Sequence, residues 1–521
     1  MLNPRWALFA SLMACAKPGD TGQAVAYDLA ATDCTDPIAS VGYTDVAESW
    51  GLISTDDAQR NRMEYNPIGL ADFDNDGDDD VVLAPRTGGV WLHWNSGKGF
   101  TQELVQEFDE PMSLAVGDYD DDGWLDLWVG GRAANQRLYR NLEGAGFADA
   151  TADAGLALED AIGDKRHGTF IDYDNDGDLD LYLAQATARP DVLGQYDVFL
   201  RNDGGVFSDV SDLLGEEARS GLGWQSLWSD LDLDGDLDLY IVNADNATFG
   251  PARLMRNDGD DGEGGWTFTD VTEDCDCGWI GSAMGASAGD IDHDGYPDLY
   301  VTNTGPSALL WNQQDLSFIN VGYAQGASAV PDETYMTYGS AFFDADHDTW
   351  LDLLTVAGPL YVTTDFSQTA DQPDVFLFGS ESGFEDRAAE YGMDDISAGR
   401  GVATGLLNDD GFLDIAVTHL GADSQIWLSE CTEARSLIVD LEGTESNRWG
   451  MGARIVLETS GGTLVREITT APGWSGAMHP RAHFGLGPVT VESMTVHWPA
   501  GGEQVVDVSP DVQGRIYITE P

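Results

Sequence analysis

Asp72-Phe73-Asp74-Asn75-Asp76-Gly77-Asp78-Asp79-Asp80 sets carboxylates on three alternate residues, follows them with a glycine and places a further carboxylate eight residues after the first. Ca²⁺ takes six to eight oxygen ligands at about 2.3–2.6 Å, and a short stretch of chain supplies them only by curling so that alternate side chains face one centre. Gly77 marks the sharp turn, because glycine reaches positive φ at little cost. The stretch closes with an aspartate at position nine, so it needs no flanking helix of the kind that a glutamate at position twelve serves. A strand follows instead. The stretch reads as a calcium loop.

The same pattern recurs along the chain. Asp72, Asp74, Asp76 and Asp80 form the first loop, Asp118, Asp120, Asp122 and Asp126 the second, and Asp172, Asp174, Asp176 and Asp180 the third. Asp230, Asp232, Asp234 and Asp238 form the fourth, and Asp290, Asp292, Asp294 and Asp298 the fifth. Asp344, Asp346, Asp348 and Asp352 form the sixth, with Thr349 in the glycine position. The seventh is eroded: Leu406 and Asn408 replace the first two carboxylates, leaving Asp410 and Asp414 around Gly411. First positions lie 46 to 62 residues apart, a spacing that indicates a repeat architecture.

Each repeat reads as four strands. An apolar strand enters the loop, and an alternating strand such as Leu179-Asp180-Leu181-Tyr182-Leu183 leaves it. A third strand such as Val198-Phe199-Leu200-Arg201-Asn202 and a short aromatic strand such as Val206-Phe207-Ser208-Asp209-Val210 complete the unit. Seven such units predict an all-β, seven-bladed β-propeller over residues 41–432. The last unit lacks its aromatic strand, while an orphan copy, Gly42-Tyr43-Thr44-Asp45-Val46, precedes the first loop. The ring is therefore expected to close by pairing that strand with Gln425-Ile426-Trp427-Leu428, which removes two exposed sheet edges. Closure would bring Cys34 near Cys431, and a disulfide is expected there; Cys275 and Cys277 either bridge each other or stay reduced. Residues 433–521 show further alternating strands and predict a small C-terminal β domain.

Composition narrows the function classes. The chain carries 92 acidic and 24 basic residues, a formal net charge of −68, which excludes nucleic acid and anionic membrane surfaces as partners of the protein surface. Its 42% hydrophobic residues build cores, so the acid is not a disordered tail. Arg5 and the brief apolar run from Trp6 to Ala14 lead to Leu12-Met13-Ala14-Cys15, which resembles a bacterial lipoprotein signal at residues 1–14. The expectation is export, acylation of Cys15 and a tether over residues 15–40. An ordinary secretory signal with an incidental cysteine is the alternative.

The loops and blades resemble FG-GAP/VCBS repeats, the calcium-loop units of integrin α-subunit propellers. The tail resembles the ASPIC/UnbV domain of the cartilage acidic protein family, on Ser446-Asn447-Arg448, Gly450-Met451-Gly452-Ala453-Arg454, Arg466-Glu467, His483-Phe484-Gly485-Leu486-Gly487 and Val496-His497-Trp498-Pro499. The resemblance implies architecture more than chemistry.

Other motifs dissolve on inspection. Gly285-Ala286-Ser287-Ala288-Gly289 fits the nucleophile-elbow pattern but falls where a first strand is expected, not at a strand-to-helix turn. His479 and His483 have helical zinc spacing, but Pro480 argues against a helix. No catalytic set converges, so the expected function is a surface-displayed, non-enzymatic interaction or adhesion module holding about six to seven Ca²⁺ by the ligand count of such loops. A propeller enzyme acting on polysaccharide is the alternative. The expected partner is a glycan or an extracellular protein, met by two long second-to-third-strand connections that carry Arg189, Tyr196, Tyr361 and Phe366.

Overall fold

The computed structural model describes residues 42–52, 65–86, 88–132, 135–157, 163–186, 196–244, 250–262, 265–278, 281–328, 334–359, 372–408, 410–430 and 432–521, with a short strand at Ala26–Asp28. Cys15, Cys34, Cys431, Arg189, Tyr361 and Phe366 lie outside the described residues.

Among the described residues, seven antiparallel sheets follow one another along the chain. Blade two shows the plan: Pro111–Gly117, Asp126–Gly131, Gln136–Asn141 and Phe147–Asp149, each paired with the next. The first strands are Ile68–Ala71, Pro111–Gly117, Asp164–Ile171, Gly223–Ser229, Ala283–Gly289, Thr337–Phe343 and Ala398–Gly405. Each touches its neighbours in that order, and the last touches the first, which makes a β-propeller. Gly42–Asp45 pairs antiparallel with Gln425–Glu430 and supplies the outer strand of the last sheet, as the orphan strand led one to expect. Ser287 is buried in the first strand of blade five, with its Oγ 2.7 Å from Ser340 Oγ and donating to Pro472 O at 2.8 Å. It is a packed strand residue.

In every repeat the ninth loop position opens the second strand opposite the last residue of the first. Ala71 faces Asp80, Gly117 faces Asp126, and Gly405 faces Asp414. The loop is thus a hairpin connection, and all seven stand at one end of the ring. Both oxygens of the ninth carboxylate are taken by backbone: Asp180 accepts from Tyr173 N at 3.2 Å and from Asn202 N at 2.8 Å.

Asn202 belongs to a second recurrent device. Its Nδ2 donates to Leu179 O in its own blade at 3.0 Å and to Tyr119 O in the preceding blade at 2.8 Å. Asn141, Asn257, Asn312 and Asn95 repeat the arrangement toward Phe73, Tyr173, Leu231 and Leu407 respectively. Blades six and seven place Gly379 and Ser429 there: Gly379 keeps the backbone bond to the ninth carboxylate, and Ser429 adds its hydroxyl to the same carboxylate at 3.2 Å. Stranding a buried carbonyl costs roughly 1–3 kcal/mol. Asn202→Ala is therefore expected to lower unfolding stability by at least that amount in a denaturant titration, and an unchanged midpoint would show that the clamp carries no stability.

The C-terminal domain is two more sheets. One orders Ala26–Asp28, Gly514–Thr519, Ser436–Glu442 and Ala482–Gly485; the other orders Gly462–Glu467, Arg454–Thr459, Val491–His497 and Glu503–Val506. Ala26–Asp28 corrects the expectation of a plain tether. Three residues show no readable period, yet they pair with Arg515–Tyr517, whose outer backbone groups would otherwise be an open edge. A further strand, Gly476–Met478, leaves the domain and pairs parallel with Ile68–Leu70 of blade one. It brings Trp474 into the middle of the ring, with ring centroids 5.6 Å from Tyr65, 5.2 Å from Trp224 and 5.5 Å from Tyr338. Glycines admit it: a Cβ on Gly476 would stand 1.8 Å from Val402 O, and one on Gly401 would stand 2.4 Å from Ser475 O. Cys275 and Cys277 are bridged to each other. Among the described residues, no helix is long and apolar enough to cross a membrane.

Candidate metal centres and the domain docked on them

The loops curl as their spacing requires. Position four is left-handed in the first six, with φ of 55° at Asn75, 54° at Asp121, 53° at Asn175, 62° at Leu233, 62° at His293 and 58° at His347. Position six also has positive φ, from 88° at Gly123 to 106° at Gly77, and Thr349 adopts 88° without being glycine. A side chain held there costs about 1–2 kcal/mol, which the rest of the loop overrides. The first carboxylate is the hub. Asp72 accepts from Asp76 N at 3.0 Å and Gly77 N at 2.8 Å, and Asp118, Asp172 and Asp344 accept from their own loops in the same way.

These turns crowd acids together. Asp72, Asp74 and Asp76 offer oxygens that all lie within 4.8 Å of one another, as do Asp118, Asp120 and Asp122; Asp172, Asp174 and Asp180; Asp230, Asp232 and Asp234; and Asp290, Asp292 and Asp294. Burial, with neighbouring carboxylates adding to it, pushes Asp72, Asp118, Asp172, Asp230 and Asp290 up to about 7. Asp344 is likewise raised by burial, with Asp348 and Asp346 contributing. Several oxygens in these clusters are buried without a donor: Asp120 Oδ1, Asp174 Oδ1, Asp230 Oδ1, Asp232 Oδ1 and Asp346 Oδ1. Orphaned carboxylate oxygens converging on one point fit a hard divalent cation, and their number favours Ca²⁺ over Mg²⁺.

The seventh loop differs in kind. Leu406 offers no carboxylate, and its N–H and C=O are both taken by Asp79 of blade one, each at 2.7 Å. Asn408 Oδ1 accepts from Asp410 N at 3.2 Å, and Asp414 accepts from Leu407 N and Ser429 N at 2.8 Å. Asp79 is fully buried and forms an ion pair with Arg481 of the C-terminal domain at 3.0 Å. The corresponding position is Leu, Pro or Leu-like apolar in every other loop, namely Leu125, Leu179, Leu237, Pro297, Leu351 and Leu413. Asp79 was thus visible in the sequence as an exception to its column, though its partner was not.

Arg481 is one of a set, because the C-terminal domain rests on the loop face and sends a polar side chain to each loop. His479 Nδ1 accepts from Asp72 N at 3.2 Å. Trp449 Nε1 donates to Asp118 Oδ2 at 3.3 Å, and Asn447 Nδ2 donates to Asp172 Oδ2 at 3.3 Å. The positive charge of Arg454 acts on Asp230, and that of Arg466 acts on both Asp290 and Asp344. His483 Nε2 lies 3.2 Å from Gly411 O. His479 and His483, which share zinc spacing in the sequence, are therefore directed at different loops. Asn447, Arg454, Arg466 and His483, which help mark the domain in sequence, are among the residues that meet the propeller, and Trp449, His479 and Arg481 join them.

Of the residues expected to meet a ligand, the described one is Tyr196. It is half-buried, bonds Glu216 through its hydroxyl and lies under the Arg219 guanidinium, 5.4 Å from the ring centroid.

Comparisons with known protein families agree with this layout. The FG-GAP-like repeat family matches residues 72–129, 118–183, 172–241, 230–301 and 290–355, and the ASPIC and UnbV family matches residues 443–521. Cartilage acidic protein 1 of Xenopus tropicalis is 22% identical over 471 residues, covering 76% of this chain and 72% of its own length. The Homo sapiens protein is 23% identical over 466 residues, covering 74% and 68%. Among solved structures, an Agrocybe aegerita lectin described as recognising non-reducing terminal N-acetylglucosamine aligns at a TM-score of 0.41 with 16% identity, over 69% of this chain and 87% of that one. BBS1N in complex with ARL6DN aligns at 0.43 with 9% identity, over 74% and 96%. The chain belongs to the FG-GAP-like repeat family and also carries an ASPIC and UnbV domain.

Proposed function

We propose that this protein is an exported, calcium-stabilised interaction module whose propeller displays a binding surface for a glycan or an extracellular protein. The observation that carries the calcium reading is the recurrence, blade after blade, of three carboxylates converging within 4.8 Å. Bound there, Ca²⁺ would neutralise the clustered charge and cross-link first strand to second. Asp72, Asp74, Asp76 and Asp80 would hold it in the first loop, and their equivalents in the next five. Asn408, Asp410 and Asp414 would offer a weaker set in the seventh, because two charges are missing.

The likeness to cartilage acidic proteins supports export. Docking of the C-terminal domain covers the loop face, so the ligand surface falls on the opposite end, where the second-to-third-strand connections emerge. An anchor at Cys15 would attach the module to a membrane from outside.

Metal analysis of the protein after desalting tests the calcium reading. Six to seven calcium ions per chain are expected, and fewer than three would overturn it. A glycan-array and pull-down screen, run with calcium and with chelator, tests the binding reading. A ligand captured only with calcium supports it, and turnover of a polysaccharide in the same assay would replace it with the enzymatic one.

A further inference from the structure

We propose that the C-terminal domain supplies the outer shell of the calcium loops, so that calcium binding by the propeller and docking of the domain are a single coupled equilibrium. The proposal rests on the calcium reading above and extends it to residues that touch no ion.

A carboxylate that ligates a metal must also be held in orientation, and partners beyond the first shell commonly set affinity by 10–100-fold. In the third loop Asp172 Oδ1 accepts from Asp176 N at 3.1 Å, and Oδ2 accepts from Gly177 N at 3.2 Å. Asn447 of the domain then donates to the same Oδ2 at 3.3 Å. Asp118 has the same arrangement, with Trp449 Nε1 as the outside donor. At the first loop His479 holds the backbone of Asp72, and Arg515 Nη1 donates to Gly77 O at 3.0 Å. Arg466 lines a cavity of about 130 Å³ between the domain and the propeller and is attracted by both Asp290 and Asp344.

Each contact depends on the first carboxylate or its loop standing where it does. Without a cation the clustered charges repel and the loop relaxes outward. The domain then loses its footing. Linkage makes the effect reciprocal: whatever weakens docking weakens calcium binding by the same factor. The fit is close, since a Cβ on Gly485 would lie 2.0 Å from Asp344 Oδ2.

Hydrogen exchange on the full chain, read by mass spectrometry with saturating calcium and with chelator, tests this. Calcium is expected to slow exchange at Gly476–Met478 at least tenfold, while Arg454–Thr459 inside the domain's own sheet changes little. Equal exchange at Gly476–Met478 in both conditions would overturn the coupling. Trp449→Phe keeps an aromatic side chain but removes the indole N–H that donates to Asp118, along with some volume, so calcium titration should show one site weakened about tenfold with the ion count unchanged. Gly485→Ala should release Gly476–Met478 even in calcium and lower calcium affinity in parallel. Wild-type calcium affinity in a Gly485→Ala protein whose domain is seen to be released would refute the proposal. A wild-type chain that binds calcium yet docks independently of it overturns the coupling alone, whereas fewer than three ions per chain overturns the calcium reading as well.

Discussion

Removal of calcium by a chelator is expected to lower the thermal midpoint by about 15 °C, taking per-residue unfolding entropy for a chain of this length. An ion bound only to the folded state stabilises it by about 2.7 kcal/mol when free ion stands at 100 times Kd. Six complete loops together then contribute about 16 kcal/mol, more than the whole stability of most single domains. The dependence should also be graded. Between one and 100 times Kd the midpoint should climb steadily with free calcium, and magnesium at the same concentration should restore much less, because it keeps its waters and prefers fewer protein oxygens. Differential scanning calorimetry across a calcium series measures this. A midpoint that moves by less than about 2 °C from chelator to saturating calcium would remove calcium from any account of the fold's stability.

Trp474→Ala is the substitution expected to cost most. Trp474 is 1% exposed and touches rings from three directions, Tyr65, Trp224 and Tyr338, which come from the entry to blade one and from the first strands of blades four and six. Truncating a buried tryptophan typically costs about 3–5 kcal/mol through lost transfer energy and the cavity left behind. Here the cavity opens on the axis of the ring, where seven rigid strands cannot collapse into it, so the upper end is expected. Urea unfolding should show the loss, and Trp474→Phe should recover more than half. If Trp474→Ala unfolds like the parent, the aromatic plug is a passenger and the ring is held by its blades alone.

The chemistry that could be read in the sequence was the chemistry that demands fixed spacing. A cation needs oxygens at alternate residues and a turn after them, so the loops stand out wherever they occur, and their period carries the blades with it. The closing strand was legible for a related reason: an aromatic strand was missing at one end and present at the other. Docking of the C-terminal domain was hidden because its contacts join single residues from opposite parts of the chain, such as Asn447 to Asp172 or Arg481 to Asp79. Neither partner has a period. Asp79 alone gave a signal, as a carboxylate in a column of apolar residues, and Asn202 with its relatives gave another by ending strand after strand. The strand Ala26–Asp28 gave none, since three residues can pair with any open edge.

The placement of Gly476–Met478 against Ile68–Leu70 has a consequence for how the protein is made. The residues synthesised last cover an inner strand synthesised among the first, while Gly42–Asp45 waits for Gln425–Glu430 to close the seam. A nascent chain therefore presents two unpaired strand edges until residue 478 has emerged, and such edges invite association with other chains. Contacts spanning some 400 residues also make final closure slow. The same order in reverse guards the finished molecule. The seam cannot open freely while the plug fills the ring, so the kinetic lifetime of the folded molecule depends on how often the C-terminal domain lets go.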